Sequence, residues 1–197
     1  FAAPPVGERR WRPPAPVAAW DGVRDATTFG ATAMQSPDML TAFLGMAPEP
    51  VDEDCLFLNV RTPALDDARR PVMVWIHGGS NLNGSGSIYN GAAFARSGVV
   101  MVTLNYRMGA LGFFAHPEIT KTAAPSEPLA NYGLMDQTAA LQWVQSNIGA
   151  FGGDASKVTV FGESAGAIDI YALLGLKSSK GLFQQAILES NITWGVS

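Results

Sequence analysis

The segment Val158-Thr159-Val160-Phe161-Gly162-Glu163-Ser164-Ala165-Gly166 places a serine in a Gly-x-Ser-x-Gly pattern directly after a β-branched run. A serine forced onto a very tight strand-to-helix turn has its hydroxyl thrust out of the backbone. Side chains two residues to either side would collide, so the turn needs Gly162 and Gly166. Where such a serine opens a helix, amides without intrahelical partners, that of Ala165 first, point towards charge developing on a substrate oxygen. The chemistry this arrangement serves is nucleophilic acyl transfer. The plainer readings are a β–α turn that merely packs closely, or the edge of a nucleotide site. No Gly-x-Gly-x-x-Gly fingerprint at a strand end and no Walker lysine support the nucleotide reading.

A second element of acyl-transfer chemistry lies upstream, where the apolar run ending at Ile76 passes into His77-Gly78-Gly79-Ser80. Glycines let a backbone approach a substrate carbonyl and turn its N–H groups towards an incipient oxyanion, each such donor contributing about 3 kcal/mol to the transition state. Alone this is any tight turn, and a histidine at such a place more often orients or packs than catalyses. Paired with the serine motif it is far more specific. The following stretch Leu82 to Gly91, with Gly84, Gly86 and Gly91, reads equally as a flexible pocket rim or as an ordinary surface loop.

The elements that must position these residues alternate. Leu56 to Arg61, Val72 to Ile76, Val99 to Leu104, Lys157 to Phe161 and Gln185 to Leu188 read as strands, several of them continuous apolar runs suited to burial on both faces. Leu134 to Ile148 has helical spacing through Leu134, Leu141, Val144 and Ile148, with Asp136, Gln137 and Gln145 breaking the pattern, and Ala165 to Leu174 reads as a second helix. Strands separated by helices imply crossovers and a mainly parallel sheet, an α/β fold. The first fifty residues, rich in Pro, Trp and Gly, read as irregular coil with short strands, and Pro117 to Asn131, with three prolines, as a surface loop.

Composition narrows the function. The chain of 197 residues is 47% hydrophobic and 15% charged with net charge −4, which suits a well-filled core and removes the basic face that non-specific nucleic-acid binding needs. No apolar run is long enough to span a bilayer. One cysteine, Cys55, forbids an internal disulfide or a multi-Cys metal site, and two histidines leave little for a metal centre. No cofactor or metal is expected, and the partner implied is a small molecule; oligomeric state is left open. The chain starts Phe1-Ala2-Ala3-Pro4-Pro5 without a basic-then-apolar leader. Location is therefore open: secreted or periplasmic if a leader precedes Phe1, cytoplasmic otherwise.

These blocks resemble the type-B carboxylesterases, the carboxylesterase/cholinesterase family of α/β-hydrolases, and most of all its bacterial members. The likeness runs through Ala3-Pro4-Pro5-Val6-Gly7 with Arg10-Trp11, Glu53 to Val60, Pro71 to Gly79, Leu104-Asn105-Tyr106-Arg107, Asn131 to Gln137, and Phe151 to Gly166, so that it covers essentially the whole chain as the N-terminal portion, residues 1–197, of a single domain. It implies hydrolysis of a carboxylic ester with Ser164 as the nucleophile that becomes acylated, oxyanion donors at Gly79, Ser80 and Ala165, and supporting places for Gly78, Glu163 and Ser190, the last behind the catalytic acid. It also implies ion pairs Arg10–Glu53 and Arg107–Asp136, whose plainer reading is solvated surface charge. A non-catalytic cholinesterase-like binding or adhesion module, or an inactive truncated product, is the alternative; Ser164 and both glycine motifs weigh against the module.

The chain departs from the family in places. Relatives usually carry a cysteine near position 33 that bridges to the Glu-Asp-Cys block; here Gly30-Ala31-Thr32-Ala33-Met34-Gln35 has none, so Cys55 is expected to act as a small buried hydrophobe. Ser80 stands where Gly or Ala is common, which a backbone donor tolerates. Asp169 stands where relatives carry a small residue, with no role evident. The triplets Asn83-Gly84-Ser85 and Asn191-Ile192-Thr193 fit the glycosylation pattern and read as accidental. Tyr89, Phe113 and Trp194 are candidates to line a cleft, each equally suited to packing. In this fold the triad runs Ser, acid, His along the chain. Both histidines, His77 and His116, precede Ser164, so the acid and base are expected beyond residue 197, and a piece ending there is expected to be nearly inactive and poorly soluble.

Overall fold

The computed structural model describes residues 1–36 and 49–191. Its strands are β1 (Leu58–Arg61), β2 (Arg70–Ile76), β3 (Val100–Leu104), β4 (Gly153–Glu163) and β5 (Gln185–Glu189); its α-helices are α1 (Ala92–Arg96), α2 (Gly109–Phe113), α3 (Pro117–Thr122), α4 (Tyr132–Asn147) and α5 (Ala165–Gly175). The five strands form one sheet in the order β1-β3-β2-β4-β5. Only the β1–β3 pair is antiparallel; β2–β3, β2–β4 and β4–β5 are parallel. The fold is the α/β arrangement that the alternating runs imply.

Alternation along the central strands explains why they are apolar throughout. Val72, Val74 and Ile76 of β2, Val100, Val102 and Leu104 of β3, and Val158 and Val160 of β4 point to one face, where they pack with Ala140, Leu141, Val144 and Ile148 and with Ile170 and Leu173 of α5. The intervening Trp75, Met101 and Phe161 point to the other face and gather Met73, Tyr89 and Phe94, the last from α1. A sheet covered on both faces cannot afford a polar stripe.

The strand order also fixes where a site belongs. From β2 the chain moves to β3 on one side of the sheet, and from β4 to β5 on the other, so the connections diverge between β2 and β4. Such a divergence opens a crevice at the carboxyl ends of the two strands. In register, Ile76 lies opposite Gly162, so His77 and Glu163 leave the sheet side by side.

Three expectations need correction. The Pro117 to Asn131 stretch is not all loop: α3 occupies Pro117–Thr122, with Pro117 in its first turn and the His116 side chain accepting from the Glu118 amide at 3.2 Å. Proline fits that position because its missing N–H has no helical partner there. The strand expected from Lys157 starts instead at Gly153, because the Arg70–Gly153 pair forms across an irregularity in register. Asp136 and Gln137 do not break a buried face; both are fully buried, because each has a polar partner. Asp136 takes the Arg107 backbone N at 3.0 Å and Nε at 2.8 Å on one oxygen and Nη2 at 2.7 Å on the other. This pair is no surface pair, with side chains 4% and 0% exposed, whereas Arg10–Glu53 is partly solvated at 40% and 24%.

Candidate active site

Ser164 joins β4 to α5 with φ +54° and ψ −121°, outside both the helical and the extended regions. Such a conformation costs a non-glycine residue about 1–3 kcal/mol and persists only where its surroundings impose it. Here they do. A Cβ on Gly166 would lie 2.1 Å from the Ile76 carbonyl oxygen, and one on Gly162 2.7 Å from the same atom, so neither position admits a side chain. The Ser164 amide donates to the Glu189 carbonyl at 2.9 Å, tying the bend to the end of β5. The Ala165 N–H, first in α5, has no helical acceptor.

The glycine turn meets this bend directly. A Cβ on Gly78 would lie 2.7 Å from the Glu163 carbonyl oxygen and 3.3 Å from Ser164 Cβ. Beyond it, φ is +105° at Gly79, +57° at Ser80 and +56° at Asn81. The Gly79 carbonyl accepts from the Leu82 and Asn83 amides at 3.0 and 3.1 Å, closing the turn.

His77 is wholly buried and stacks on Tyr106 with ring centroids 4.5 Å apart and an interplanar angle of 20°. Burial pushes its pKa down to about 4, so it is neutral at working pH, and its Nδ1 lies 2.8 Å from the Gly78 carbonyl oxygen. A neutral ring can satisfy that contact only as the Nδ1–H donor. In a planar trans peptide the carbonyl and the next N–H point in opposite directions, so this bond aims the Gly79 N–H away from the imidazole. The Tyr106 hydroxyl sits 2.8 Å from the His77 carbonyl and 3.0 Å from Asn81 Oδ1.

The structure brings Ser164, Ala165, Glu163 and Gly78 together with the Gly79–Ser80 turn. Ser190, with φ +54°, follows the strand end whose Glu189 carbonyl holds the Ser164 amide. His116 is exposed, capping α3 and stacking on Phe114. The glycine-rich loop is held rather than loose. Gln35 clamps Gly84, accepting from its N at 2.9 Å and donating to its O at 3.0 Å; Glu49 accepts from Ser85 Oγ at 2.6 Å and from Ser87; Asn105 Oδ1 accepts from the Gly86 N at 2.8 Å. Tyr89 packs on Trp75 and Phe113 against Gly133, so both are packing residues; Trp194 and residues 192–193 of the second glycosylation triplet lie outside the described residues. Cys55 is 1% exposed and lines one small cavity with Ala33, and burial pushes its thiol up to about 12.

The sequence left Asp169 without a role. It is 4% exposed in α5, accepts from Asn81 Nδ2 at 3.1 Å and from Gln137 Nε2 at 2.6 Å, and burial outweighs those bonds to raise its pKa to about 6. The signal was present: it is the one charged residue in AGAIDIYALLG.

Known proteins resemble the chain along nearly its whole length. A family model described as the carboxylesterase family matches residues 1–195. Fumonisin B1 esterase of Sphingopyxis macrogoltabida is 48% identical over 96% of this chain and 35% of its own length. Para-nitrobenzyl esterase of Bacillus subtilis (strain 168) is 47% identical over 96% of this chain and 38% of its own. A solved thermophilic PNB esterase superposes with a TM-score of 0.87 at 46% identity, over 96% of this chain and 39% of that one. The chain thus spans little more than a third of the relatives it matches. Its α/β sheet is that of the α/β-hydrolases, and the chain belongs to the carboxylesterase family.

Proposed function

We propose that the protein containing this chain hydrolyses carboxylic esters through an acyl-enzyme on Ser164, and that residues 1–197 are the N-terminal portion of a single catalytic domain. Ser164 Oγ attacks the ester carbonyl carbon while its proton passes to a general base. The carbonyl oxygen, now an oxyanion, faces the N–H groups of Gly79, Ser80 and Ala165. Collapse expels the alcohol, which takes up the proton, and water repeats the sequence to release the acid. The observation that carries this reading is the approach of the glycine turn to the bend, where a Cβ added to Gly78 would lie 3.3 Å from Ser164 Cβ.

Neither histidine of the chain serves as the base. The Nδ1 of His77 is committed to Gly78 and its ring is buried against Tyr106, while His116 caps an exposed helix. The base and the acid that orients it therefore belong after residue 197, with Ser190 supporting the acid and Gly78 and Glu163 shaping the approach. An apolar row on α5 supports further chain there: Ile168, Tyr171 and Leu174 are 43%, 63% and 56% exposed.

The test is a fluorophosphonate probe on the full-length protein, followed by peptide mass spectrometry and by turnover of p-nitrophenyl acetate. An adduct on Ser164 and loss of turnover in Ser164→Ala are expected. Residues 1–197 alone are expected to show neither labelling nor turnover. Turnover that survives Ser164→Ala overturns the reading.

A further inference from the structure

The Gly79–Ser80–Asn81 turn holds three successive positive φ angles, two of them at residues with side chains. Its main-chain restraints are the bonds to the Gly79 carbonyl and one from the Gly109 amide to the Asn81 carbonyl at 2.6 Å. The side-chain restraint runs through Asn81. Its Nδ2 donates to Asp169 Oδ1 at 3.1 Å, and its Oδ1 lies 3.0 Å from the Tyr106 hydroxyl that also reaches the His77 carbonyl. Asp169 Oδ2 takes Gln137 Nε2 at 2.6 Å, which braces the carboxylate from α4.

An ionised carboxylate only accepts hydrogen bonds. Asn81 must therefore turn Nδ2 towards Asp169, and a half-rotation of the amide would set its oxygen against the carboxylate. The other buried residues of α5, namely Ala165, Gly166, Ala167, Ile170 and Leu173, are small or apolar. A carboxylate among them is costly to desolvate and adds nothing to packing. It also stands on the helix that Ser164 opens, so its bond to Asn81 ties the nucleophile's own helix to the turn that faces it.

We infer that Asp169 is a positioning residue: through Asn81 it locks the Gly79–Ser80–Asn81 turn in register with Ser164, so that the two halves of the site form one rigid unit. The inference rests on the esterase reading and assigns that site a residue the turn and bend motifs do not contain. Donors held in place before the reaction need no reorganisation as charge develops, and loosening them lowers kcat more than it alters substrate binding.

The full-length protein tests this with p-nitrophenyl acetate. Turnover by the wild type that Ser164→Ala abolishes secures the esterase reading; without it that reading fails, and this inference is not what failed. Asp169→Ala and Asn81→Ala are each expected to lower kcat by about 10–100-fold with KM within about threefold. The double variant is expected to be no slower than either single one, because one residue acts through the other. Asp169→Asn keeps an acceptor for Asn81, and its amide can donate to Gln137 Oε1, a buried oxygen without a partner among the described residues, once the Gln137 amide turns over. It is expected to restore kcat to within about threefold of wild type. Wild-type kcat in Asn81→Ala, or losses that multiply in the double variant, would overturn the inference. Should Asp169→Ala not fold, Asn81→Ala and Asp169→Asn decide it alone.

Discussion

Two turns leave the sheet side by side; both need glycine, and one of them leans on a polar network as well. The bend after β4 is imposed by main chain: Gly162 and Gly166 have no room for a side chain against the Ile76 carbonyl, and the Ser164 amide is bonded to the Glu189 carbonyl. The turn after β2 also needs its glycines, a Cβ on Gly79 meeting the Asn83 carbonyl oxygen at 2.1 Å, but it is held besides by a polar network in which Tyr106 and Asp169, from distant parts of the chain, bond to His77 and Asn81. A conformation enforced by steric exclusion has few sequence solutions and therefore a motif. One enforced by a polar network has many.

The sharpest way to break the comparison is Gly166→Ala. Its new methyl would sit 2.1 Å from a backbone oxygen that no rotamer can move, so the bend cannot form, and loss of soluble folded protein in an expression and circular-dichroism assay is expected. Asp136→Ala attacks the other turn from behind, since Asp136 holds the Arg107 backbone next to Tyr106. It leaves a buried guanidinium unpaired and is expected to cost about 3–5 kcal/mol in urea unfolding.

Asp169→Asn sharpens the contrast by sign. The folded carboxyl, near pH 6, binds its proton more tightly than an unfolded one with the usual value of 3.8. Wild-type stability is therefore greatest below the unfolded value and falls as pH rises through 6, by about 2–3 kcal/mol at most. The variant lacks that fall, so unfolding curves at pH 5 and pH 8 should separate the two proteins more widely at the higher pH. Equal separation at both would refute the assignment. The smallest effect concerns Cys55, remote from both turns: with its thiol pushed up to about 12, it should resist iodoacetamide at pH 8 until denaturant is added.

Legibility in the sequence follows the same division. The central strands were readable because burial on both faces leaves unbroken apolar runs, and the bend because glycine is its only solution. The helices α1 and α2, five residues each, are too short to show a period. Asp136 and Gln137 looked like interruptions because their partners, Arg107 and Asp169, are 29 and 32 residues away. Asp169 was conspicuous as a charge in an apolar helix, but nothing local names Asn81 as what it holds.

The bond from the Ser164 amide to Glu189 has a dynamic consequence. Among the described residues β5, like β1 at the other edge, pairs on one side only, so its ends open more readily than those of the central strands. Each such opening releases the nucleophile's peptide while the glycine turn stays in place. Deuterium uptake at the Ser164 amide should then rise and fall with that of β5, and whatever stitches the free side of β5 will slow both together.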